Sequence, residues 1–127
     1  MAQILLVDDD TNVLLTLAIA LRRQGHTVTV AQNGWQALSL LRREQFAFLI
    51  SDVKMPGMTG IELAQRARHF PSAPLVILTS ALEVDIAEGI AEHFLPKPVD
   101  VTHLHDMLIH DLELKAAATH QIEPQVA

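Results

Sequence analysis

The fold and the function of the chain both depend on one stretch, Phe48-Leu49-Ile50-Ser51-Asp52-Val53-Lys54-Met55-Pro56-Gly57-Met58-Thr59-Gly60. It begins as a short apolar run, which is typical of a buried strand, and the run breaks at Asp52. The turn-forming residues Pro56, Gly57 and Gly60 follow. Such a stretch either simply ends a strand at Asp52 or holds one carboxylate at the edge of a sheet. The rest of the chain decides between the two readings.

The composition indicates one compact domain. The chain has 127 residues, half of them hydrophobic, which is enough for a single core. The net charge of -6 argues against direct nucleic-acid binding, and the lack of cysteine excludes disulfides and thiolate metal sites. No apolar run is long enough to cross a bilayer, and the N-terminus does not resemble a signal peptide. We therefore expect a cytoplasmic protein without membrane insertion.

Apolar strand patterns alternate with helical patterns five times along the chain. The predicted strands are residues 4–7, 26–31, 46–50, 75–78 and 93–95. The predicted helices are residues 12–24, 35–43, 60–69 and 84–92, and a last helix that Asp100 caps. This alternation predicts an α/β fold of (βα)5 type, a parallel sheet with helices on both faces. The domain is expected to span residues 1–116, and residues 117–127 form a helix extension or a disordered tail.

Polar side chains stand at the ends of the predicted strands. Asp8 and Asp9 follow the first strand, Asp52 the third, Thr79 the fourth and Lys97 the fifth. Ligands of such sheets bind outside the carboxyl ends of the strands. Three carboxylates in one crevice need a cation, and oxygen ligands suit Mg²⁺ or Mn²⁺. A carboxylate beside such a metal can attack phosphorus, while an ammonium and a hydroxyl hold the phosphoryl oxygens.

With these residues in place, the chain resembles the receiver domain of two-component response regulators, which is CheY-like in fold. The resemblance covers about residues 3 to 114. It is carried by Val7-Asp8-Asp9-Asp10, Ser51-Asp52-Val53-Lys54-Met55-Pro56-Gly57-Met58-Thr59-Gly60, Leu78-Thr79-Ser80 and Pro96-Lys97-Pro98. It implies a doubly wound five-stranded parallel sheet of flavodoxin-like order 2-1-3-4-5 in a three-layer α/β/α sandwich.

The resemblance also implies roles for the site residues. Asp52 is then the phosphoacceptor. It receives a phosphoryl group from a phosphohistidine on a sensor histidine kinase or a histidine phosphotransfer protein. Asp8, Asp9, Asp52 and the backbone carbonyl of Lys54 hold Mg²⁺ or Mn²⁺. Lys97 pairs with the phosphoryl group, and its bond to Pro98 is cis.

The resemblance also implies a switch formed by Thr79 and Phe94. Both side chains are expected to move when Asp52 is phosphorylated. The expected protein is a signalling domain rather than an enzyme, with only metal-dependent self-phosphorylation and autodephosphorylation. No output domain is expected in this chain. Its partners are then a phosphodonor, a downstream protein of unknown identity and, as a further option, a second copy.

Two features depart from the usual receiver pattern. The span from Thr79 to Lys97 is about one helical turn shorter than in most receivers, so the fourth helix or the loop after it must be shortened. The first helix carries Leu15, Ala18 and Ile19 on a side that is usually polar. That side is either covered by the tail or by neighbouring copies, or it is a surface for dimerisation or for docking a helix of the phosphodonor.

Two other functions remain open at this point. A phosphohydrolase of the haloacid-dehalogenase type would use Asp8 as nucleophile and Asp10 as general acid. Against this function, no cap domain is expected in the chain, and Asp52 would have no role. An interaction module that is never phosphorylated would not need the full set of acids, hydroxyl and lysine. The histidines of the last helix lack the spacing of a zinc motif, so His103, His105 and His110 are expected at the surface.

Overall fold

The computed structural model describes residues 2–82 and 85–122. The strands are β1 (Gln3–Val7), β2 (Thr27–Ala31), β3 (Phe48–Asp52), β4 (Leu75–Ser80) and β5 (His93–Pro96). The helices are α1 (Thr11–Arg23), α2 (Gly34–Arg43), α3 (Gly60–Ala67) and α4 (Val101–Ile122). Every neighbouring pair of strands is parallel, and the order is β2-β1-β3-β4-β5. The predicted sheet and its strand order are confirmed.

Two apolar clusters cover the two faces of the sheet. On one face, α2 and α3 pack against β1, β3 and β4 through residues that include Leu38, Leu63 and Leu78. On the other face, α1 and α4 pack through residues that include Leu14 and Leu104. The central strand β3 is buried along its whole length, because helices cover both of its faces. These layers form the predicted α/β/α sandwich.

Side chains at the helix starts explain where three helices begin. The Asp10 carboxylate accepts the N–H groups of Asn12 and Val13 at 3.0 and 3.3 Å, so Asp10 caps α1. Asn33 caps α2 by accepting the Gln36 N–H. Thr59 caps α3, because its hydroxyl accepts the Glu62 N–H at 3.1 Å.

The helix predicted over residues 84–92 is wrong for the described part of that segment, because residues 85–92 contain only turns and irregular backbone. Twelve residues separate Ser80 from His93, whereas sixteen separate Ala31 from Phe48. A crossover between parallel strands that contains a helix needs at least about 10 to 12 residues, so this connection is at the lower limit of that length. Gly89 also has a left-handed φ of 88°, which interrupts a helix.

Ala18 was predicted on the outer side of α1, and this is also wrong. Its side chain is fully buried in the same cluster as Leu14, Leu17 and Leu21. Positions 14, 17, 18 and 21 share one face of a helix, so Ala18 belongs to the inward stripe. Leu15 and Ile19 are half exposed, at 50% and 49%, as predicted.

Helix α4 is longer than the stripe that attaches it to the sheet. Leu104 and Leu108 are fully buried, whereas residues 113–118 are exposed and the helix continues to Ile122. The predicted tail, residues 117–127, begins within this helix. The structure does not describe the side chains of residues 119–122 or any part of residues 123–127. Among the described helices, none is both long enough and apolar enough to cross a membrane.

Histidines join α4 to the sheet layer by two polar contacts that the sequence analysis did not predict. His105 Nδ1 lies 2.9 Å from Nε2 of the buried His26. On β5, His93 Nε2 lies 2.7 Å from a carboxylate oxygen of Asp111. His105 is therefore half-buried rather than at the surface as expected, while His103 and His110 are exposed.

Candidate functional site

The polar residues predicted at the strand ends meet at one edge of the sheet. Asp8 directly follows β1, Asp52 is the last residue of β3, and Lys97 directly follows β5. Thr79 lies within β4 and is the register partner of Asp52. Because neighbouring parallel strands end together, residues that are 89 positions apart, Asp8 and Lys97, come into contact.

Three carboxylates form the acidic part of the site. Asp8, Asp9 and Asp52 each place one oxygen so that the three oxygens lie within 4.8 Å of one another. Asp8 and Asp52 are buried, at 4% and 7% exposure, while Asp9 is exposed. Buried carboxylates this close repel one another unless a cation lies among them.

Lys97 supplies a cation to the two buried carboxylates. Its Nζ donates to Asp8 Oδ2 at 2.7 Å and lies 3.4 Å from Asp52 Oδ2. The Lys97 backbone N–H donates to the Ser80 carbonyl at 2.9 Å, which fixes the start of the loop after β5. The Lys97–Pro98 peptide bond is cis, as predicted. The ammonium thus bridges the acid after β1 and the acid at the end of β3.

The acid–base properties of the site follow from this arrangement. Burial raises the pKa of Asp52, the Lys97 ammonium opposes that effect, and the Asp8 and Asp9 carboxylates add to it, so the pKa of Asp52 lies above its usual value. Burial lowers the pKa of Lys97, but its hydrogen bond to Asp8 and the charges of Asp8 and Asp52 outweigh burial. Lys97 therefore stays protonated at neutral pH.

Asp10 has a different task from the other acids of its run. Its carboxylate caps α1, and its own N–H donates to Asp8 Oδ1 at 2.9 Å. The Asp8 side chain is therefore held from two sides, by the Asp10 backbone and by Lys97. The phosphohydrolase alternative needs Asp10 as a general acid, and its capping bonds argue against that use.

The loop after Asp52 is tied closely to the sheet. The Val53 N–H donates to the Thr79 carbonyl, and the Gly60 N–H donates to the Val53 carbonyl, both at 2.9 Å. A Cβ atom on Gly60 would overlap the Asp52 carbonyl oxygen, so only glycine allows α3 to start this close to the site. The sequence predicts Gly60 only as a turn former, and no local pattern indicates its close packing against the Asp52 backbone. Lys54 is exposed in this loop.

The two residues of the predicted switch have different surroundings. Thr79 is buried, at 3% exposure, beside Asp52 in the register of the sheet. Phe94 lies on the edge strand β5 opposite Leu78, and 39% of its surface is exposed. Neighbouring Ser80 is buried and accepts the Leu82 N–H. The structure thus places the hydroxyl inside and the aromatic ring at the surface.

An apolar groove of about 500 Å³ connects the site to α1. Its lining includes Lys97 and Pro98 after β5, and Val13, Thr16 and Leu17 of α1. Leu15 and Ile19 are exposed on the same helix. An apolar surface therefore begins beside the lysine of the site.

Comparison with known proteins agrees with this geometry. The family model for the response regulator receiver domain matches residues 4–109. The chain is 36% identical over 123 residues to the transcriptional regulatory protein GlrR of Escherichia coli K12, a match that covers 93% of this chain and 28% of GlrR. It is 44% identical over 108 residues to an uncharacterized 14.6 kDa protein of Leptolyngbya boryana, covering 80% of this chain and 82% of that protein.

Among solved structures, the chain is similar to the response regulator protein TrrA of Thermotoga maritima in complex with Mg²⁺ and BeF. The TM-score is 0.78 at 27% identity, and the match covers 87% of this chain and 98% of TrrA. The similarity therefore extends over nearly the whole of a protein whose structure contains magnesium.

Proposed function

Since this chain belongs to the response regulator receiver domain family, we propose that it is controlled by transfer of a phosphoryl group from a phosphohistidine to Asp52. The donor is a sensor histidine kinase or a histidine phosphotransfer protein. The observation that carries the proposal is the contact of one ammonium, Lys97, with both buried carboxylates at the carboxyl edge of the sheet. This arrangement leaves a compact site with a nucleophile, a cation and a hydroxyl.

Asp52 is the acid best suited to attack. It ends the central strand, and it is less constrained by hydrogen bonds than Asp8, whose two oxygens accept from Asp10 and Lys97. A carboxylate oxygen of Asp52 forms a bond to phosphorus, the bond from phosphorus to the imidazole nitrogen breaks, and the imidazole leaves with that electron pair. The product is an acyl phosphate on Asp52.

The donor set fits a hard divalent cation. Three carboxylate oxygens within 4.8 Å of one another, two of them buried, match the oxygen ligands that Mg²⁺ or Mn²⁺ prefers. Asp8, Asp9 and Asp52 would hold the ion, with the backbone carbonyl of Lys54. When bound, the ion neutralises charge on phosphoryl oxygens.

Lys97 and Thr79 act on the phosphoryl group itself. The Lys97 ammonium already lies 3.4 Å from an Asp52 oxygen, so it can pair with a phosphoryl oxygen attached there. Thr79 donates its hydroxyl to another oxygen. The buried Thr79 hydroxyl and the partly exposed Phe94 ring form a switch. When Thr79 moves toward the phosphoryl group, it leaves space for Phe94 to turn inward.

The phosphodonor is proposed to dock on Leu15 and Ile19 of α1. These side chains are half exposed on the helix whose other residues line the groove together with Lys97, so a donor helix docked on α1 brings its histidine toward Asp52. Ala18 is not part of this surface, because it is buried. A homodimer through the same face remains the competing use of it, and a downstream protein would contact other surfaces.

The test is which aspartate becomes labelled by acetyl phosphate and Mg²⁺. We expect intact-protein mass spectrometry to show one added phosphoryl group on the wild type and none on Asp52→Asn. Label that persists on Asp52→Asn but disappears from Asp8→Asn would favour the hydrolase reading. The absence of any response to Mg²⁺ and beryllofluoride would favour a module that is never phosphorylated.

Docking is tested separately with phosphotransfer from a histidine phosphotransfer protein. Leu15→Asp with Ile19→Asp should slow transfer from the protein and leave labelling by acetyl phosphate unchanged, since the site itself is intact. Leu114→Asp is the matched control, because Leu114 is also half exposed but lies on α4. Equal transfer rates and an unchanged oligomeric state in both variants would remove α1 from the donor interface.

A further inference from the structure

The outer surface of α2 and α3 is unlike the rest of this acidic chain. Four of the nine basic residues lie on these helices or directly after α3, namely Arg42, Arg43, Arg66 and Arg68. Only two of the fifteen acidic residues, Glu44 and Glu62, accompany them. These helices therefore carry a net positive charge, although the whole chain has a net charge of -6. Such a surface favours negatively charged partners.

Three of these arginines have no charge partner in the part of the chain that the structure describes. Arg68 lies 4.0 Å from Glu92, but Arg42, Arg43 and Arg66 form no ion pair there. Their guanidinium groups are exposed and planar, and each can donate two hydrogen bonds to one carboxylate.

The only tryptophan of the chain lies in the first turn of α2, next to one of these arginines. Trp35 is 60% exposed, and the Arg66 guanidinium lies over its ring at 5.3 Å from the centroid. On the other side, Trp35 Nε1 lies 4.0 Å from the position of a Cβ on Gly57, in the loop that follows Asp52. The ring therefore lies against the Arg66 guanidinium and close to that loop, while most of it faces solvent.

A large exposed aromatic side chain with an arginine over its ring has the composition of a binding hot spot. The contact with Arg66 restricts the ring before binding, which lowers the conformational entropy lost in the complex. Trp35, Ser39 and Arg42 follow the spacing of one helix face, so the exposed stripe of α2 continues from the ring to the charge.

We propose that the outer surface of α2 and α3, which we call the arginine–tryptophan face, binds an acidic segment of a partner protein that carries an apolar side chain. The carboxylates of the segment pair with Arg42, Arg43 and Arg66, and its apolar side chain covers Trp35. This face is separate from the α1 surface and does not depend on phosphoryl transfer. A nucleic acid is disfavoured, because the chain as a whole carries a charge of -6.

The probe is a fluorescein-labelled peptide of glutamates around a central leucine, with a peptide of lysines around leucine as comparison. We expect saturable binding of the glutamate peptide by fluorescence anisotropy, weaker at high salt. The unlabelled peptide should also change the emission of Trp35. The lysine peptide should not bind to this face.

Two substitutions and one matched control decide the assignment. Arg66→Glu should weaken binding about fivefold to tenfold, because an attraction becomes a repulsion at a partly exposed pair. Arg23→Glu, on the exposed side of α1, makes the same change in net charge and should leave binding within about twofold. Trp35→Ala should also weaken binding, and circular dichroism checks that each variant is folded.

Other outcomes would overturn the proposal. Equal weakening by Arg66→Glu and Arg23→Glu would mean nonspecific attraction, and no binding of the glutamate peptide would mean that the face is merely solvated. Tighter binding of labelled oligothymidylate would assign the face to nucleic acid. Self-association of the chain in sedimentation that is lost in Arg66→Glu would assign it to a second copy.

Discussion

Replacing Asp52 with asparagine should stabilise the protein when divalent cations are chelated. Asp52 is a buried carboxylate, and both burial and its acidic neighbours raise its pKa above the usual value of 3.8. A raised pKa of an acid means that the folded state disfavours its ionised form. At neutral pH the ionised Asp52 therefore reduces the free energy of unfolding, and a neutral side chain of the same shape relieves that cost.

The magnitude follows from three effects. Two of them, desolvation and repulsion by Asp8, disfavour the ionised Asp52, and one, attraction to Lys97, favours it. Taking a carboxylate out of water costs several kcal/mol. The pair of Asp52 with Asp8, within 4.8 Å, repels by about 3.5 kcal/mol at an effective dielectric constant of about 20. The pair with Lys97 at 3.4 Å attracts by about 5 kcal/mol on the same scale. The two charge pairs largely offset each other, so the desolvation cost decides the sign and leaves a gain on the order of 1 to 2 kcal/mol.

The gain should depend on pH in a specific direction. Between the unfolded pKa near 3.8 and the higher folded pKa, the folded wild type binds more protons than the unfolded chain, so its stability falls as pH rises. The asparagine variant lacks this loss. The difference between variant and wild type is therefore absent in strong acid, grows through that window and is complete at neutral pH.

Urea unfolding followed by circular dichroism measures the difference, first in EDTA and then with Mg²⁺. Asp8→Asn is the control, because Asp8 accepts hydrogen bonds from Asp10 and Lys97 and its loss should not stabilise. Mg²⁺ should stabilise the wild type more than Asp52→Asn, since the variant lacks one carboxylate ligand. A variant that is no more stable than the wild type in EDTA at neutral pH would refute the reasoning.

Two further predictions concern the surroundings of the site. Gly60→Ala should destabilise by about 2 to 3 kcal/mol in urea unfolding, because the added Cβ overlaps the Asp52 carbonyl oxygen. Gly89→Ala, which meets only left-handed strain in open space, should cost about 1 kcal/mol, and equal losses would contradict the packing argument. Burial and the charge of His105 lower the pKa of His26, so stability should fall as pH drops below 6.5, because the unfolded chain then binds the proton more readily than the folded one. His26→Asn should flatten that part of the urea-midpoint profile, and an unchanged profile would exclude His26 as its cause.

The sheet and the acidic site were predictable because both are local features of the sequence. Each apolar run became a strand, with ends that moved by two residues at most. Asp8, Asp52 and Lys97 lie beside the ends of their strands, and parallel pairing then brings them together. No long-range information is needed beyond the right-handed crossover and the order of the strands.

The errors arose where distant parts of the chain decide. The pattern of residues 84–92 fits a helix, but the connection between β4 and β5 has only twelve residues, at the lower limit for a helical crossover, and Gly89 has a left-handed φ of 88°. The inward position of Ala18 depends on the angle at which α1 meets the sheet, and a one-residue shift of the stripe exposes or buries it. The contact of His105 with His26 joins residues 79 positions apart, and neither histidine has a local signal for it.

The short crossover before β5 divides one face of the molecule by charge. Over the described residues, α2 and α3 are the helices that cover this face, and their outer side chains include Trp35 and Arg66. Segment 85–92 packs against the same apolar cluster through Ile86, Ile90 and Ala91, and its acids Asp85, Glu88 and Glu92 are exposed. A partner that carries carboxylates is attracted to the helices and repelled by the segment. Because the shortened segment places its acids beside a basic pair of helices, a partner can engage the arginine–tryptophan face in only a restricted set of orientations.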